Sequence, residues 1–159
     1  MVLVYFETYG CALNRADTAL MMSLVCEKGY RISRHIEEAD VIVVNTCTVR
    51  LDTELRMLRR LSYLYKRFGN SKKIVVAGCM AAAQPYTVKR VAPGAILLSP
   101  QNITKLAEVI ESGTDALLGE RDVSYLRPDV DGAIAAVPIA EGCIGDCSFC
   151  LTKLARRRL

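Results

Sequence analysis

Short apolar, β-branched runs recur along the chain, and a segment with helical spacing follows each of them. Residues 2–8 (VLVYFET), 41–46 (VIVVNT) and 73–78 (KIVVAG) read as strands. Val/Ile runs bounded by turn residues suit strands covered on both faces. Ala95–Leu98 is a further candidate, and Tyr30–Ser33 reads as a short edge strand. Asn14 or Asp17 can cap a first helix with Ala16, Leu20, Met21 and Leu24 on its apolar face and Gly29 at its end. Asp52 opens a second helix, with Leu51, Leu55, Leu58 and Tyr65 on one face, Phe68 near the end and Gly69-Asn70 as its stop. A third runs from about Ala82 to Val91, and a fourth from about Asn102 to Gly113. Strands alternating with helices require right-handed crossovers. The expected fold class is therefore α/β, with a doubly wound, mostly parallel sheet.

The 159 residues are 52% hydrophobic and 24% charged, which excludes a disordered tail, a collagen-like chain and a coiled coil. No apolar run approaches the ~20 residues needed to span a bilayer. The start, MVLVYFETYG, has neither a basic lead nor a cleavage site. A cytoplasmic location without a membrane partner is expected. Residues 113–132 are polar and glycine-containing, and read as a linker between a first domain over 1–112 and a second beginning at 133. Ala133–Ala140 reads as the first strand of that second domain, which the chain only opens. The net charge of +4 comes from residues 151–159, where Lys153, Arg156, Arg157 and Arg158 meet no acid. Residues 50–73 hold eight basic and two acidic side chains; Arg56, Arg59, Arg60, Lys66 and Arg67, with Tyr63 among them, form either a phosphate-binding stripe or a solvated helix face.

Seven cysteines in a reducing compartment favour metal or cluster binding over disulfides. Cys11, Cys47 and Cys79 each follow a predicted strand. Open α/β sheets bind ligands outside the carboxyl ends of their strands, so a parallel sheet would gather these three thiols at one edge. Three thiolates suit an iron–sulfur cluster. Zinc would want a fourth ligand, and the sole histidine, His35, lies in a loop. Simple burial of the three cysteines stays open. Cys26, mid-helix, reads as a packing residue. Cys143, Cys147 and Cys150 form CxxxCxxC directly after a strand, a spacing that lets one loop wrap a four-iron cluster and leaves one iron without a thiolate. A zinc knuckle is the alternative.

Glu141-Gly142-Cys143-Ile144-Gly145-Asp146-Cys147-Ser148-Phe149-Cys150 resembles the radical S-adenosylmethionine signature. Tyr9–Asn14, Asn45–Arg50 and Gly78–Ala81 resemble the methylthiotransferase family, and Glu7–Asp17 its archaeal and eukaryotic branch. The likeness spans essentially the whole chain. It implies one [4Fe–4S] cluster on Cys11, Cys47 and Cys79. It implies a second on Cys143, Cys147 and Cys150, at the opening of a radical barrel, whose free iron binds S-adenosyl-L-methionine. The implied activity is tRNA methylthiolation, converting N6-threonylcarbamoyladenosine beside the anticodon to its 2-methylthio derivative. tRNA and an electron-donor protein are the implied partners; no catalytic side chain is assigned. Isopentenyladenosine in tRNA, or an aspartate of a ribosomal protein, is the alternative substrate. An iron–sulfur or zinc module without activity is the alternative class. Where the family has Ala-Arg-Gly after the third signature cysteine, this chain has Ala155-Arg156-Arg157. The family also continues for a few hundred residues, so this polypeptide is expected to be inactive alone.

Overall fold

In the computed structural model, which describes residues 1–49, 51–122, 129–131, 134–136 and 139–157, five strands form one sheet. They are β1 (Leu3–Thr8), β2 (Arg31–Ile32), β3 (Val41–Thr46), β4 (Lys73–Gly78) and β5 (Ile96–Leu98), in the order β2-β1-β3-β4-β5. Every neighbouring pair is parallel, as the alternating pattern requires. β3 is buried along its whole length, which is why its run carries no polar alternation.

Successive strand residues serve opposite layers. Val41, Val43, Val75 and Ala77 pack under α1 (Ala12–Glu27) and α5 (Leu106–Ser112). Ile42, Val44, Ile74 and Val76 pack under α2 (Leu51–Phe68), α3 (Cys79–Ala83) and α4 (Pro85–Val91). The sheet is thus doubly wound. The strand order reverses between β1 and β3, which opens a crevice at the carboxyl ends of those two strands.

Several local expectations are revised. α1 begins at Ala12, with Cys11 in the extended capping position, so Asn14 and Asp17 are not caps but buried residues within the helix. They lie on the stripe Asn14, Asp17, Thr18, Met21, Val25, which faces the sheet and is polar only near the crevice. α2 buries Met57, Leu61, Leu64 and Phe68, whereas Leu51 and Leu55 are 69% and 45% exposed. Of the face expected from sequence, Phe68 is buried and Leu58 and Tyr65 are half-buried against the same core, so only Leu51 and Leu55 turn outward. The expected third helix is two, because Pro85 cannot continue α3 and forces Gln84 to φ −136°. The fourth begins as a 3-10 turn over Pro100–Lys105, with Asn102 buried and its amide bonded to Ser99 Oγ and the Leu118 carbonyl. Cys26 is exposed in the last turn of α1 and packs into no core.

In the stretch expected to be a linker, β6 (Asp129–Asp131) pairs antiparallel with β7 (Ile134–Ala136), which falls within the strand expected over Ala133–Ala140. Of the strand expected over Ala133–Ala140, residues 133, 137 and 138 lie outside the described residues, as do Arg50 and 123–128. A last helix, α6 (Leu151–Arg156), packs against α3. No helix among the described residues is long and apolar enough to cross a membrane.

Candidate functional site

Thr8, Asn45 and Ala77 lie in register across β1, β3 and β4. The chain therefore leaves the sheet three times at one rim, and Cys11, Cys47 and Cys79 follow those exits. Cys47 and Cys79 are buried and Cys11 is exposed; all are free thiols. Two glycines make the exits possible. Gly10 has φ +111°, and a Cβ there would stand 2.6 Å from Cys47 Cβ and 3.1 Å from its sulfur. Gly78 has φ +90°, and a Cβ would stand 2.3 Å from Asn45 Oδ1. Only glycine adopts these conformations without strain and leaves room for the neighbouring turn.

Asn14 ties the first two exits together. Its amide donates to the Tyr9 carbonyl at 3.0 Å and the Thr46 carbonyl at 2.8 Å, and its Oδ1 accepts from Cys11 Sγ at 3.6 Å. Asn45 returns a bond from its own amide to the Asn14 carbonyl at 2.8 Å. Thr46 Oγ1 donates to the Ala77 carbonyl at 2.6 Å, joining the second exit to the third.

Arg156 enters this rim from α6. Its side chain is 4% exposed. Nε donates to Cys79 Sγ at 3.4 Å, Nη2 to Asn14 Oδ1 at 3.0 Å, and Nη1 to Glu141 Oε1 at 2.6 Å. Nη2 also lies 2.8 Å from Asp17 Oδ2. Arg121 completes a charge-balanced quartet, 2.7 Å from Asp17 Oδ1 and 2.7 Å from Glu141 Oε2. Burial works against the charge of Arg156, but Asp17, Cys79 and Glu141 more than offset it and hold the guanidinium above its usual range. Burial pushes the Cys79 thiol up, against the lowering influence of Arg156; Cys47 and Cys11 lie close enough to add to the rise.

Cys143, Cys147 and Cys150 sit in a loop that closes onto α6. The Gly145 N–H donates to Cys143 Sγ at 3.2 Å, and Lys153 pairs with Asp146. The Cys143 N–H donates to the Arg157 carbonyl at 3.2 Å. Backbone N–H groups, that of Lys153 first and that of Thr152 next, hold the Cys150 thiol below its usual range. Three of the basic residues near this end are thus engaged: Arg156 is buried, Lys153 is paired and Arg157 donates to the Gly119 carbonyl at 3.1 Å.

Among the described residues, no three His, Cys, Asp or Glu close on a single metal ion. A four-iron cluster spreads its thiolates further apart than one ion does. His35 lines a cleft with Leu3, Arg31 and Glu38 at the amino end of β1, the wrong end of that strand to join Cys11. The donor set at the rim, three free thiols with a cationic donor on one of them, fits an iron–sulfur cluster better than zinc. Asn14, Asp17, Arg121, Glu141 and Arg156 were not legible as site residues. The available signal was polar side chains on the core-facing stripe of α1.

The model of uncharacterized protein family UPF0004 matches residues 3–99. The chain is 37% identical, over 96% of its length, to a probable threonylcarbamoyladenosine tRNA methylthiotransferase of Methanocaldococcus jannaschii, covering 36% of that protein. It is 38% identical over 98% of its length to the Archaeoglobus fulgidus protein of the same name, covering 37% of it. It is 30% identical over 98% of its length to a tRNA-2-methylthio-N(6)-dimethylallyladenosine synthase of Christiangramia forsetii, covering 35%. The chain thus spans a little over a third of the length of the curated relatives it matches. With three strand-end thiols on a doubly wound sheet and a family match over most of that sheet, the chain belongs to the methylthiotransferase domain family described as UPF0004.

Proposed function

We propose that this chain carries the two cysteine sites of a tRNA methylthiotransferase whose substrate is threonylcarbamoyladenosine. The observation that carries the proposal is the single buried guanidinium of Arg156. It touches Cys79 at the strand-end rim and is anchored on Glu141, beside the CxxxCxxC loop. Cys11, Cys47 and Cys79 would hold one [4Fe–4S] cluster, and Cys143, Cys147 and Cys150 a second. When bound, these clusters and S-adenosyl-L-methionine would supply the one-electron and sulfur-transfer chemistry. The protein's own work is positioning. Asn14 and Thr46 lock the three exits, Gly10 and Gly78 let the backbone turn tightly, and the loop after Glu141 presents three thiolates with one place left for a substrate. Threonylcarbamoyladenosine is favoured over dimethylallyladenosine because relatives named for the first are 37% and 38% identical and the relative named for the second 30%.

Anaerobic reconstitution with iron and sulfide tests the proposal. The expected result is visible charge-transfer absorption and about four irons per occupied site. Serine at Cys11, Cys47 or Cys79 should remove one site's iron, serine at Cys143, Cys147 or Cys150 the other's, and serine at Cys26 neither. Binding of about one zinc without visible absorption would refute it. Substrate choice is read by competition between anticodon stem-loops carrying each modified adenosine. Equal binding of the two would remove the preference.

A further inference from the structure

The rim described above contains more than its thiols need. A thiol cluster can be held by turns alone, yet here a guanidinium from the far end of the chain is buried beside it. Arg156 spends its donors on four residues in three parts of the fold: Cys79 at the start of α3, Asn14 and Asp17 in α1, and Glu141 ahead of the CxxxCxxC loop. Asp17 and Glu141 each lie within ion-pair distance of both Arg156 and Arg121, so the carboxylates are balanced and the guanidinium is fixed from two sides. Its Nε, the one nitrogen left over, points at sulfur.

Building on the cluster-binding assignment above, we propose that Arg156 is a positioning residue that joins the two cysteine sites, setting the electron affinity of the cluster on Cys11, Cys47 and Cys79 through its N–H donation to Cys79 Sγ and seating the Cys143–Cys150 loop through Glu141. A donor to a cluster thiolate withdraws electron density from the sulfur and stabilises the more negative, reduced state. A cation in a water-poor rim does so more strongly than a neutral donor. The same side chain is anchored on the segment that carries the second site. Displacing that loop therefore moves the donor away from Cys79, and the two sites are mechanically linked.

The test is a dithionite redox titration of the 159-residue chain, reconstituted with iron and sulfide and carrying serine at Cys143, Cys147 and Cys150, so that only the rim cluster reports. Two variants are compared with this parent. Arg156→Lys keeps the charge that Asp17 needs but has no second donor fixed in the guanidinium plane. The double variant Asp17→Asn with Arg156→Gln removes one charge of each sign and leaves Glu141 paired with Arg121. Both are expected to take up the parent's iron and to show at least a tenfold lower reduced-to-oxidised ratio at the same poise, about 59 mV for one electron. In the chain with all cysteines, both should also show faster hydrogen exchange over residues 143–150. Parent-like potentials in variants that hold a cluster would overturn the proposal. A parent chain that assembles no cluster would instead overturn the assignment beneath it. Loss of the cluster from both variants, with unchanged far-ultraviolet circular dichroism, would reduce Arg156 to an assembly residue and likewise overturn it.

Discussion

The side-chain amide of Asn14 donates to the backbone carbonyl of Thr46, 32 positions further along the chain, at 2.8 Å. A helix residue thereby fixes the turn that presents Cys47. The same amide reaches the Tyr9 carbonyl at 3.0 Å, so one buried side chain sets the spacing between two strand exits. Replacing Asn14 with alanine removes the donor that these two carbonyls share. Each orphaned group costs roughly 1–3 kcal/mol. Asn14→Ala is expected to lose about 3 kcal/mol, a fall in Tm of roughly 6–12 °C for a chain of this size, together with its iron at the rim. Unchanged thermal unfolding would deny Asn14 this role.

Gly10 and Gly29 separate strain from collision. Both have positive φ, +111° and +86°, but a Cβ at Gly10 collides with Cys47 whereas at Gly29 nothing lies within 4 Å. Gly29→Ala should therefore cost about 1 kcal/mol of backbone strain and leave iron uptake intact. Gly10→Ala should abolish uptake at the rim. Iron analysis of the two purified variants distinguishes them, and equal uptake would contradict the geometry.

Much of this architecture was legible in the sequence, for physical reasons. The runs at 41–44 and 74–77 are apolar throughout because parallel strands are covered on both faces, and Cys47 or Cys79 follows each within three residues. What could not be read is partnership across the fold. Asn14 and Arg156 stand 142 positions apart, and charge counting only grouped Arg156 with the basic residues of 151–159. Helical period put Leu58, Tyr65 and Phe68 of α2 on the core side correctly, but it also put Leu51 and Leu55 there and passed over Met57, Leu61 and Leu64; only the sheet beneath decides. The tendency of cysteine to be buried misjudged Cys26, which faces outward.

Arg157 occupies φ 61°, ψ −159°, and is the one non-glycine residue with positive φ among those described. It stands where the resembling family has glycine. This region of backbone space is essentially reserved for glycine, and other residues there carry roughly 1–3 kcal/mol of strain. Arg157→Gly removes that strain and gives up exposed bonds to the Gly119 and Leu117 carbonyls. The net expectation is a gain of about 1 kcal/mol, seen as a higher urea midpoint at unchanged m. Arg157→Ala, which loses the same bonds and keeps the strain, should show no gain. A lower midpoint for Arg157→Gly would show that the lost bonds outweigh the strain.

The basic residues of α2 divide by their partners. Arg60 is held by Glu7 through Nε, at 3.2 and 3.1 Å to the two carboxylate oxygens, and Glu7 also accepts from Tyr9 Oη at 2.9 Å. Arg60 therefore braces β1 and is not available to phosphate. Arg56, Arg59 and Lys66 are exposed beside Tyr63, a surface that can follow a nucleic-acid backbone while an aromatic ring meets a base. If RNA docks there, changing Arg56, Arg59 and Lys66 to alanine should flatten the dependence of log K on log salt by about 2 to 3 for a duplex stem. Arg60→Ala should lower thermal stability and leave the slope unchanged. Titrating a fluorescent anticodon stem-loop at several salt concentrations reads both effects. A triple variant with the parent's slope would assign RNA contact to another face and leave the α2 residues as a solvated surface.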